Sequence, residues 1–348
     1  MIAINSGQKK IMVAMSGGVD SSVSAALLMG MGFAVIGVFM GLTREGGEAQ
    51  ADRARQIAER LGIAFEVVDL AAEFQAGVLD YFSKAYQGGK TPNPCVVCNR
   101  KIKFGLLRDY VRSRGITAMA TGHYARTAQT ADGRVRLLAG LDPKKDQSYF
   151  LCGLGQVHLT GVIFPLGETT KEAVYQAAAG LGISNLHSPE SQDICFLQGR
   201  DLATFFSDLP QLPGDFVTIS GEGKGRHRGI HLYTIGQRRG LGISDATPYY
   251  VIGLDQARNQ VIVGKEDDLW RRDLFLPEMH WTSGAEPPLP QNFMVKIRHR
   301  HQPAQALVSS KEGGGYTVIF ITPQRAITPG QFAVLYQEDE VIGAGAIS

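Results

Sequence analysis

The fold is decided by the stretch AMSGGVDSS (residues 14–22), which follows the apolar run KIMVAM and precedes the helical pattern SVSAALLMGMG. A glycine-rich turn between a buried strand and a helix lets backbone N–H groups converge at the positive end of the helix, where a phosphate fits. The stretch does not end in the Gly-Lys-Ser/Thr sequence of a Walker A loop, and it lacks the G-x-G-x-x-G pattern of dinucleotide sites. Isolated glycines would indicate only a turn with a serine cap. Because Gly17 and Gly18 stand together with Asp20 and flanking serines, the sequence favours a nucleotide site.

Strand and helix patterns alternate through the first third of the chain. Short apolar runs such as AVIGVF, AFEVVDL and AMATGHYA are separated by helical segments. This alternation predicts the α/β class, with a doubly wound parallel sheet covered on both faces. From about residue 210 the chain consists of short β runs, such as GDFVTIS and HLYTIG, split by turn residues, which predict small barrels or sandwiches. We therefore expect a catalytic α/β domain at 1–208, a small central β-rich domain at 209–275 and a C-terminal β-barrel at 276–348.

The composition excludes several classes of protein. A net charge of only +2 means that any nucleic-acid footprint is a local patch and not a global field. The first residues lack the apolar core of a signal peptide, and the longest apolar run near the front is too short to span a bilayer. Four cysteines in 348 residues do not make a disulfide scaffold. We expect a cytoplasmic protein without membrane contact.

The cysteines are the next informative feature. Cys95 and Cys98 stand in TPNPCVVCNR (residues 91–100), where a C-x-x-C pair can be a metal clamp, a redox pair, or a reactive thiol with a neighbour. Cys195 follows about a hundred residues later in SQDICFL, so it can meet the pair only in the folded protein. Cys152 lies in an apolar run and is expected to pack as a small hydrophobic residue.

Motifs along the whole chain carry a family resemblance. The loop at 14–22 resembles the pyrophosphatase loop of N-type ATP pyrophosphatases, which cleave ATP to AMP and pyrophosphate while adenylating an oxygen atom. The complete set of motifs resembles the tRNA-uridine 2-sulfurtransferases, also called tRNA-specific 2-thiouridylases. Other ATP pyrophosphatases share the glycine loop but not the N-P-x-x-x-C-N and Q-x-I-C-F blocks. The motifs are, in order, MSGGVDSSV, GVFM, TPNPCVVCNRKIKFG, ATGHYAR, DPKKDQSYFL, FPLGETTK, SQDICFL, YTIGQRRGLGI and TPGQFAVLY.

The resemblance implies an adenine nucleotide alpha-hydrolase-like fold and a reaction. The family thiolates the wobble uridine (U34) of tRNAs of the Lys, Glu and Gln type, after ATP has adenylated O2 of the base. A sulfur donor protein, a cysteine desulfurase or a relay protein, would load Cys195 as a persulfide. Cys98 would be the nucleophile that frees the sulfur, leaving a transient Cys98–Cys195 disulfide. Asp20 would help to hold Mg²⁺ on the phosphates, because Mg²⁺ prefers carboxylate and phosphate oxygens.

The resemblance also implies binding residues. Those expected to bind ATP are Ala14, Met15, Ser16, Gly17, Gly18, Val19, Asp20, Ser21, Met40 and Gly122. Those expected to meet the target base are Asn93, Pro94 and Cys95. Those expected to contact tRNA are His123, Lys145, Asp146, Gln147, Arg298, His299 and Gln331.

Two departures from the family pattern bear on the site. Many members carry Asp where this chain has Cys95, and a neutral thiol cannot act as that carboxylate does. Cys95, Cys98 and Cys195 instead match the trio that holds a [4Fe–4S] cluster in related tRNA thiolation enzymes, so the cluster stays open as an alternative to the persulfide route. A structural zinc is less attractive, because the block offers no obvious fourth ligand. The segment after GVFM is also shorter than is common in the family.

Basic side chains supply two further expectations. We expect the pocket to lower the pKa of at least one thiol, with Arg100 and Lys101 as the helping cations. In VKIRHRHQP, alternation along a predicted strand would place Lys296, Arg298 and Arg300 on one face. Such a face is as often simply solvated as it is bound to phosphate, and the resemblance favours phosphate contact.

Two other classes compete with the thiolation enzyme. A small-molecule ATP pyrophosphatase, such as an amidotransferase-linked synthetase, would need a carboxylate-substrate pocket and would have no use for the thiols. A non-enzymatic RNA-binding protein with a metal-stabilised C-x-x-C knuckle would leave the loop at 14–22 without a role.

Overall fold

A computed structural model describes residues 9–43, 47–183, 194–197 and 199–348. The strands are β1 (Lys10–Ala14), β2 (Ala34–Gly41), β3 (Ala64–Asp69), β4 (Ala118–Thr121), β5 (Ala125–Gln129), β6 (Val135–Ala139), β7 (Val162–Ile163), β8 (Gly214–Thr218), β9 (Gly223–His227), β10 (Tyr250–Asp255), β11 (Gln260–Gly264), β12 (Trp270–Leu276), β13 (His280–Trp281), β14 (Gln291–Lys296), β15 (Ala304–Ser310), β16 (Tyr316–Arg325), β17 (Phe332–Gln337) and β18 (Glu340–Ala346). The α-helices are α1 (Val19–Gly30), α2 (Gly47–Leu61), α3 (Ala71–Phe74), α4 (Asp80–Gln87), α5 (Pro94–Cys98), α6 (Leu107–Ser113), α7 (Ser148–Leu151), α8 (Gln156–Leu159), α9 (Lys171–Gly180) and α10 (Leu202–Phe205).

The N-terminal part is built on a parallel sheet with strand order β3-β2-β1-β4-β7. Helices cover both faces, and the alternation of side chains along β1 explains why. Ile11 and Val13 are fully buried in a core shared with α1 and α2. Met12 is buried on the opposite face of the sheet, in a core that also contains side chains of α5. The predicted α/β class with a doubly wound sheet is confirmed.

Two helices of this part contain π-helical turns. One turn, Gln75–Leu79, joins α3 to α4, and the other, Asn99–Leu106, joins α5 to α6. Such insertions widen a helix locally and are frequent at functional sites. The second one begins directly after Cys98, so the side chains that follow this cysteine face directions that an unbroken α-helix would not give them.

Beyond residue 210 the chain is β-rich, as expected. A four-stranded sheet has the order β10-β11-β8-β9. A larger sheet runs β12-β16-β15-β14-β17-β18-β6-β5, with β13 on β18, and encloses a separate core that includes Phe293 and Phe320. The β5–β6 hairpin comes from the N-terminal part of the chain, so this sheet joins distant segments. The expectation that residue 300 continues a strand is wrong: β14 ends at Lys296 and the next residues turn, so Lys296, Arg298 and Arg300 do not share a strand face.

Among the described ranges, none of the helices is both long enough and apolar enough to cross a bilayer.

Candidate functional site

The glycine loop between β1 and α1 is held in one conformation by its own side chains. Gly17 has φ +74°, and a Cβ there would lie 3.1 Å from the carbonyl oxygen of Gln50, so only glycine fits comfortably. Ser21 Oγ accepts from the N–H of Ser16 at 3.2 Å and donates to the carbonyl of Gly18 at 3.1 Å. The first N–H groups of a helix have no intrahelical acceptor, so this turn presents donors to an anion.

The residues expected to bind ATP gather at one sheet edge. Ala14 ends β1, Met40 lies near the end of β2 and Gly122 directly follows β4, and these strands are parallel neighbours. A Cβ on Gly122 would lie 2.8 Å from the backbone nitrogen of Ser21, so the chain after β4 touches the start of α1. The other expected ATP contacts, Met15, Ser16, Gly18 and Val19, lie in or beside the loop. Ligands of open α/β sheets bind at this edge.

Asp20 carries the strongest ion pair of the loop. Its Oδ1 and Oδ2 accept from Nζ of Lys171 at 2.7 and 2.8 Å, and Oδ1 also accepts from the hydroxyl of Tyr124 at 2.7 Å. The side chain of Lys171 is only 8% exposed, and its ammonium lies 4.9 Å from the ring centre of Tyr175. The carboxylate expected to hold Mg²⁺ is therefore bound by an ammonium group, which a divalent ion would have to displace.

The cysteine turn begins with a cap. Asn93 accepts the N–H of Val96 at 3.3 Å, and Pro94 occupies the first position of α5, where a missing N–H costs nothing. Cys98 is buried, Cys95 is half-buried and Cys195 is exposed. Phe196, the neighbour of Cys195, packs in the same core as Val96 and Cys98, so the fold brings the two cysteine segments, which are distant in sequence, to one region.

The electrostatics of the thiols differ from the expectation. Burial raises the pKa of Cys95 to about 11 and that of Cys98 to about 12, and desolvation raises the pKa of Cys195 as well, although this residue is exposed. The expectation of a lowered thiol pKa is therefore wrong for the protein without substrates. The positive charge of Lys103 lowers the pKa of all three thiols and so partly offsets the effect of burial. Arg100 and Lys101, the cations expected in this role, are exposed.

Within the described ranges, which include Cys95, Cys98 and Cys195, no three His, Cys, Asp or Glu side chains are grouped so that they could hold a metal ion. All four cysteines are free thiols, and Cys152 is fully buried in the core, as expected for a small hydrophobic residue. The arrangement of these donors does not favour the [4Fe–4S] alternative.

Several residues expected to contact tRNA are tied into the protein. His123 Nδ1 lies 2.6 Å from Oγ1 of Thr121, and burial together with the charge of Lys103 holds the pKa of His123 well below its ordinary value. Asp146 is buried, and its Oδ1 accepts the N–H groups of Gly140 and Ser148 at 3.0 Å.

The remaining expected tRNA contacts are distributed over the junction of the α/β part with the barrel. Gln147 accepts the N–H of Tyr124 at 3.0 Å, and Lys145 is half-buried beside it. The ring of His299 packs against that of Phe150, with ring centres 4.4 Å apart and planes tilted by 31°. Arg298 donates to the carbonyl of Arg325 at 3.1 Å. The tRNA roles of these residues stay predictions. In the structure their side chains make the contacts within the protein that are given above.

Sequence reasoning missed Lys171, Tyr124 and Lys103. Lys171 stands in the predicted helix ETTKEAV and Tyr124 in the motif ATGHYAR, but neither spacing relates them to Asp20. Lys103 is brought to the thiols by the π-helical turn, which sequence periodicity does not reveal. The first residues of SQDICFL, 191–193, and residues 44–46 of the shortened segment lie outside the described residues.

Family models match consecutive parts of the chain: a tRNA methyl transferase HUP domain at 9–199, a tRNA methyl transferase PRC-barrel domain at 204–265 and an aminomethyltransferase beta-barrel domain at 271–347.

Full-length relatives carry a different description from the domain models. The tRNA-specific 2-thiouridylase MnmA of Desulfotalea psychrophila is 46% identical over 96% of this chain and 98% of its own. The proteins of the same name from Chloroflexus aurantiacus and Pelobacter propionicus are 45% and 43% identical over 97% of this chain, and cover 98% and 97% of their own lengths. Because these relatives align over nearly their whole lengths, the family expected from the motifs is confirmed: the chain belongs to the tRNA-specific 2-thiouridylase family.

Proposed function

We propose that this protein uses ATP to replace O2 of the wobble uridine (U34) of tRNA with sulfur. The observation that supports the proposal is the packing of Phe196, the neighbour of Cys195, in the same core as Val96 and Cys98. His123 lies with its ring centre 5.8 Å from that of Phe104, in the π-helical turn after Cys98, and it follows Gly122, which touches the glycine loop. These contacts support a single site for the thiols and the nucleotide.

The adenylation half of the reaction uses the sheet edge. The N–H groups at the start of α1 bind phosphate oxygens, and Asp20 with those oxygens would hold Mg²⁺, which supplies charge neutralisation. A divalent ion that binds Asp20 would compete with the ammonium of Lys171 for this carboxylate. O2 of the uracil ring attacks the α-phosphorus of ATP and pyrophosphate leaves, so the poor oxygen leaving group becomes AMP.

The sulfur half of the reaction uses the thiols. A donor protein, a cysteine desulfurase or a relay protein, loads the exposed Cys195 as a persulfide. The Cys98 thiolate attacks Sγ of Cys195, so that a Cys98–Cys195 disulfide forms, the sulfane S–S bond breaks and the released sulfide attacks C2 and displaces AMP. The sulfane sulfur gains the two electrons that the cysteines lose, and a dithiol reductant resets the disulfide. Lys103 stabilises the thiolates, which burial alone disfavours.

The target base and the tRNA approach from the cysteine side. Asn93, Pro94 and Cys95 are the proposed base contacts, and the base must leave its stack to reach them. The proposed tRNA contacts are His123, Lys145, Asp146, Gln147, Arg298 and His299. For Gln331, which the resemblance also assigns to tRNA, the hydrogen bond to Thr91 favours a positioning role. In the proposed division of the chain, 276–348 is the tRNA-binding barrel, 209–275 the central module and 1–208 the catalytic domain. tRNAs of the Lys, Glu and Gln type are the proposed substrates. The reducing cytoplasm, which keeps such thiols free, is the proposed compartment.

The test is direct. The purified protein is incubated with ATP, Mg²⁺, sulfide and undermodified tRNA, and the nucleosides are analysed by mass spectrometry. We expect 2-thiouridine that depends on ATP. Pyrophosphate release with a small carboxylate substrate and no tRNA would instead support the small-molecule synthetase, and the absence of any ATP turnover would support the RNA-binding protein.

A further inference from the structure

Thr91, just before the cysteine turn, is held by both β modules. Its N–H donates to the carbonyl oxygen of Pro329 at 2.9 Å, and its own carbonyl oxygen accepts from Nε2 of Gln331 at 2.9 Å. Its hydroxyl donates to Oγ1 of Thr234 at 3.1 Å. Pro329 and Gln331 belong to the C-terminal module and Thr234 to the central module, so three parts of the chain meet on one residue.

The contact with the C-terminal module is a close approach of two backbones. Gly330 has φ +92°, and a Cβ there would lie 2.9 Å from the carbonyl carbon and oxygen of Thr91. The N–H of Gly330 donates to the carbonyl of Ile347 at 2.8 Å, and the N–H of Ile347 donates back to the carbonyl of Gln331 at 2.8 Å. The turn that holds Thr91 is therefore fixed to the end of the barrel sheet.

The link from Thr91 to the thiols is stiff. The chain runs Thr91, Pro92, Asn93 and Pro94 into α5, and each proline ring fixes φ near −65°. Asn93 is further restrained by its capping hydrogen bond to Val96, and Pro94 is buried. A displacement of Thr91 is therefore passed on to the start of α5, which carries the cysteines of the turn, and is not absorbed in between.

We infer that Gln331 and Thr234 are positioning residues, which hold Thr91 so that α5 presents Cys98 correctly for sulfur transfer. Docking of the two β modules is then a condition for reactivity of the cysteine turn, in addition to any role in holding tRNA. This inference rests on the proposed function. It differs from the expected role of Gln331 as a direct tRNA contact, since the amide of Gln331 is already used inside the protein.

Steady-state thiolation separates positioning from tRNA binding. Gln331→Ala and Thr91→Val should each lower kcat about fivefold, the fold-change that corresponds to one net hydrogen bond, while KM for tRNA stays within about twofold. Thr91→Ser keeps the hydroxyl and should restore kcat. Gln337→Ala, an exposed glutamine at the end of β17, is the matched control and should match the wild type. A raised KM with unchanged kcat in Gln331→Ala, or no change at all, would overturn the inference.

Hydrogen exchange of the peptide that covers 91–98 gives a readout independent of activity. Exchange should be faster in Gln331→Ala than in Gln337→Ala, with equal melting temperatures. Equal exchange rates would contradict the inference even if the wild type made no 2-thiouridine. The formation of 2-thiouridine by the wild type tests the proposed function separately.

Discussion

Removal of the Lys171 ammonium should expose how the nucleotide loop is stabilised. The ammonium contacts both oxygens of Asp20, at 2.7 and 2.8 Å, and its side chain is 8% exposed, whereas that of Asp20 is 28% exposed. Breaking a buried ion pair costs about 3–5 kcal/mol. Because Asp20 keeps the hydrogen bond from Tyr124 and part of its hydration, we expect Lys171→Met to cost about 2 kcal/mol of unfolding free energy.

The reverse change should be more costly. Asp20→Asn removes the carboxylate charge that accepts two hydrogen bonds from the more deeply buried ammonium, so we expect a loss of about 3 kcal/mol. In the double variant neither charge remains, and the total loss should be smaller than the sum of the single losses by at least about 1 kcal/mol. This difference is the coupling energy between the two side chains.

The assay is urea unfolding, monitored by the circular dichroism signal of the helices, which reports on the α/β part of the protein. Lys84→Met, at an exposed lysine of α4, is the control and should change stability by less than about 0.5 kcal/mol. If the losses of Lys171→Met and Asp20→Asn added up within about 0.5 kcal/mol, the two groups would not interact, and the account of the loop would be refuted.

Four further outcomes follow from the thiols and the glycine contact. With cysteine and a cysteine desulfurase as the sulfur source, Cys98→Ser should abolish formation of 2-thiouridine while AMP formation continues, whereas Cys152→Ala should keep thiolation because that residue only fills the core. Full thiolation by Cys98→Ser with this sulfur source would disprove its role as nucleophile. Since burial raises the pKa of Cys98 to about 12, the thiolate form grows as the pH rises, so its alkylation rate should climb without a plateau up to about pH 10. Lys103→Met removes the positive charge that lowers the pKa of Cys98 and should slow its alkylation. The control Lys101→Met, at an exposed site, should not slow it. Equal alkylation rates in the two variants would contradict the role of Lys103. Gly122→Ala places a Cβ 2.8 Å from the nitrogen of Ser21, so the start of α1 must shift at a cost of about 1–3 kcal/mol of unfolding free energy. AMP formation should fall as a result. A variant with the stability and AMP formation of the wild type would contradict the contact.

Local patterns predicted much of the fold. The buried runs that became β1, β2 and β4 are apolar on both faces, which is the signature of strands in a covered parallel sheet, and the glycine loop lies between β1 and α1 as expected. One predicted strand has a different secondary structure. The run HLYTIG was expected to be a strand, but Ile230–Leu232 form a 3-10 turn.

Features that depend on distant contacts could not be read from the sequence. The pairing of Glu340 with Leu138 joins the β5–β6 hairpin to the barrel sheet across about two hundred residues, and no periodicity encodes it. The same holds for Lys171 and Asp20, which are separated by 151 positions. The raised pKa of Cys98 arises from burial, and spacing says nothing about how dry a thiol will be.

The central claim is that ATP cleavage and sulfur insertion are coupled at one base. The most direct test is a time course with tRNA that carries U34 and with an otherwise identical tRNA that carries C34, in which AMP and 2-thiouridine are both measured. The account predicts one AMP for each 2-thiouridine formed at U34, and neither product above background with the C34 tRNA. ATP cleavage that is indifferent to the base at that position, or 2-thiouridine formed without AMP, would contradict it.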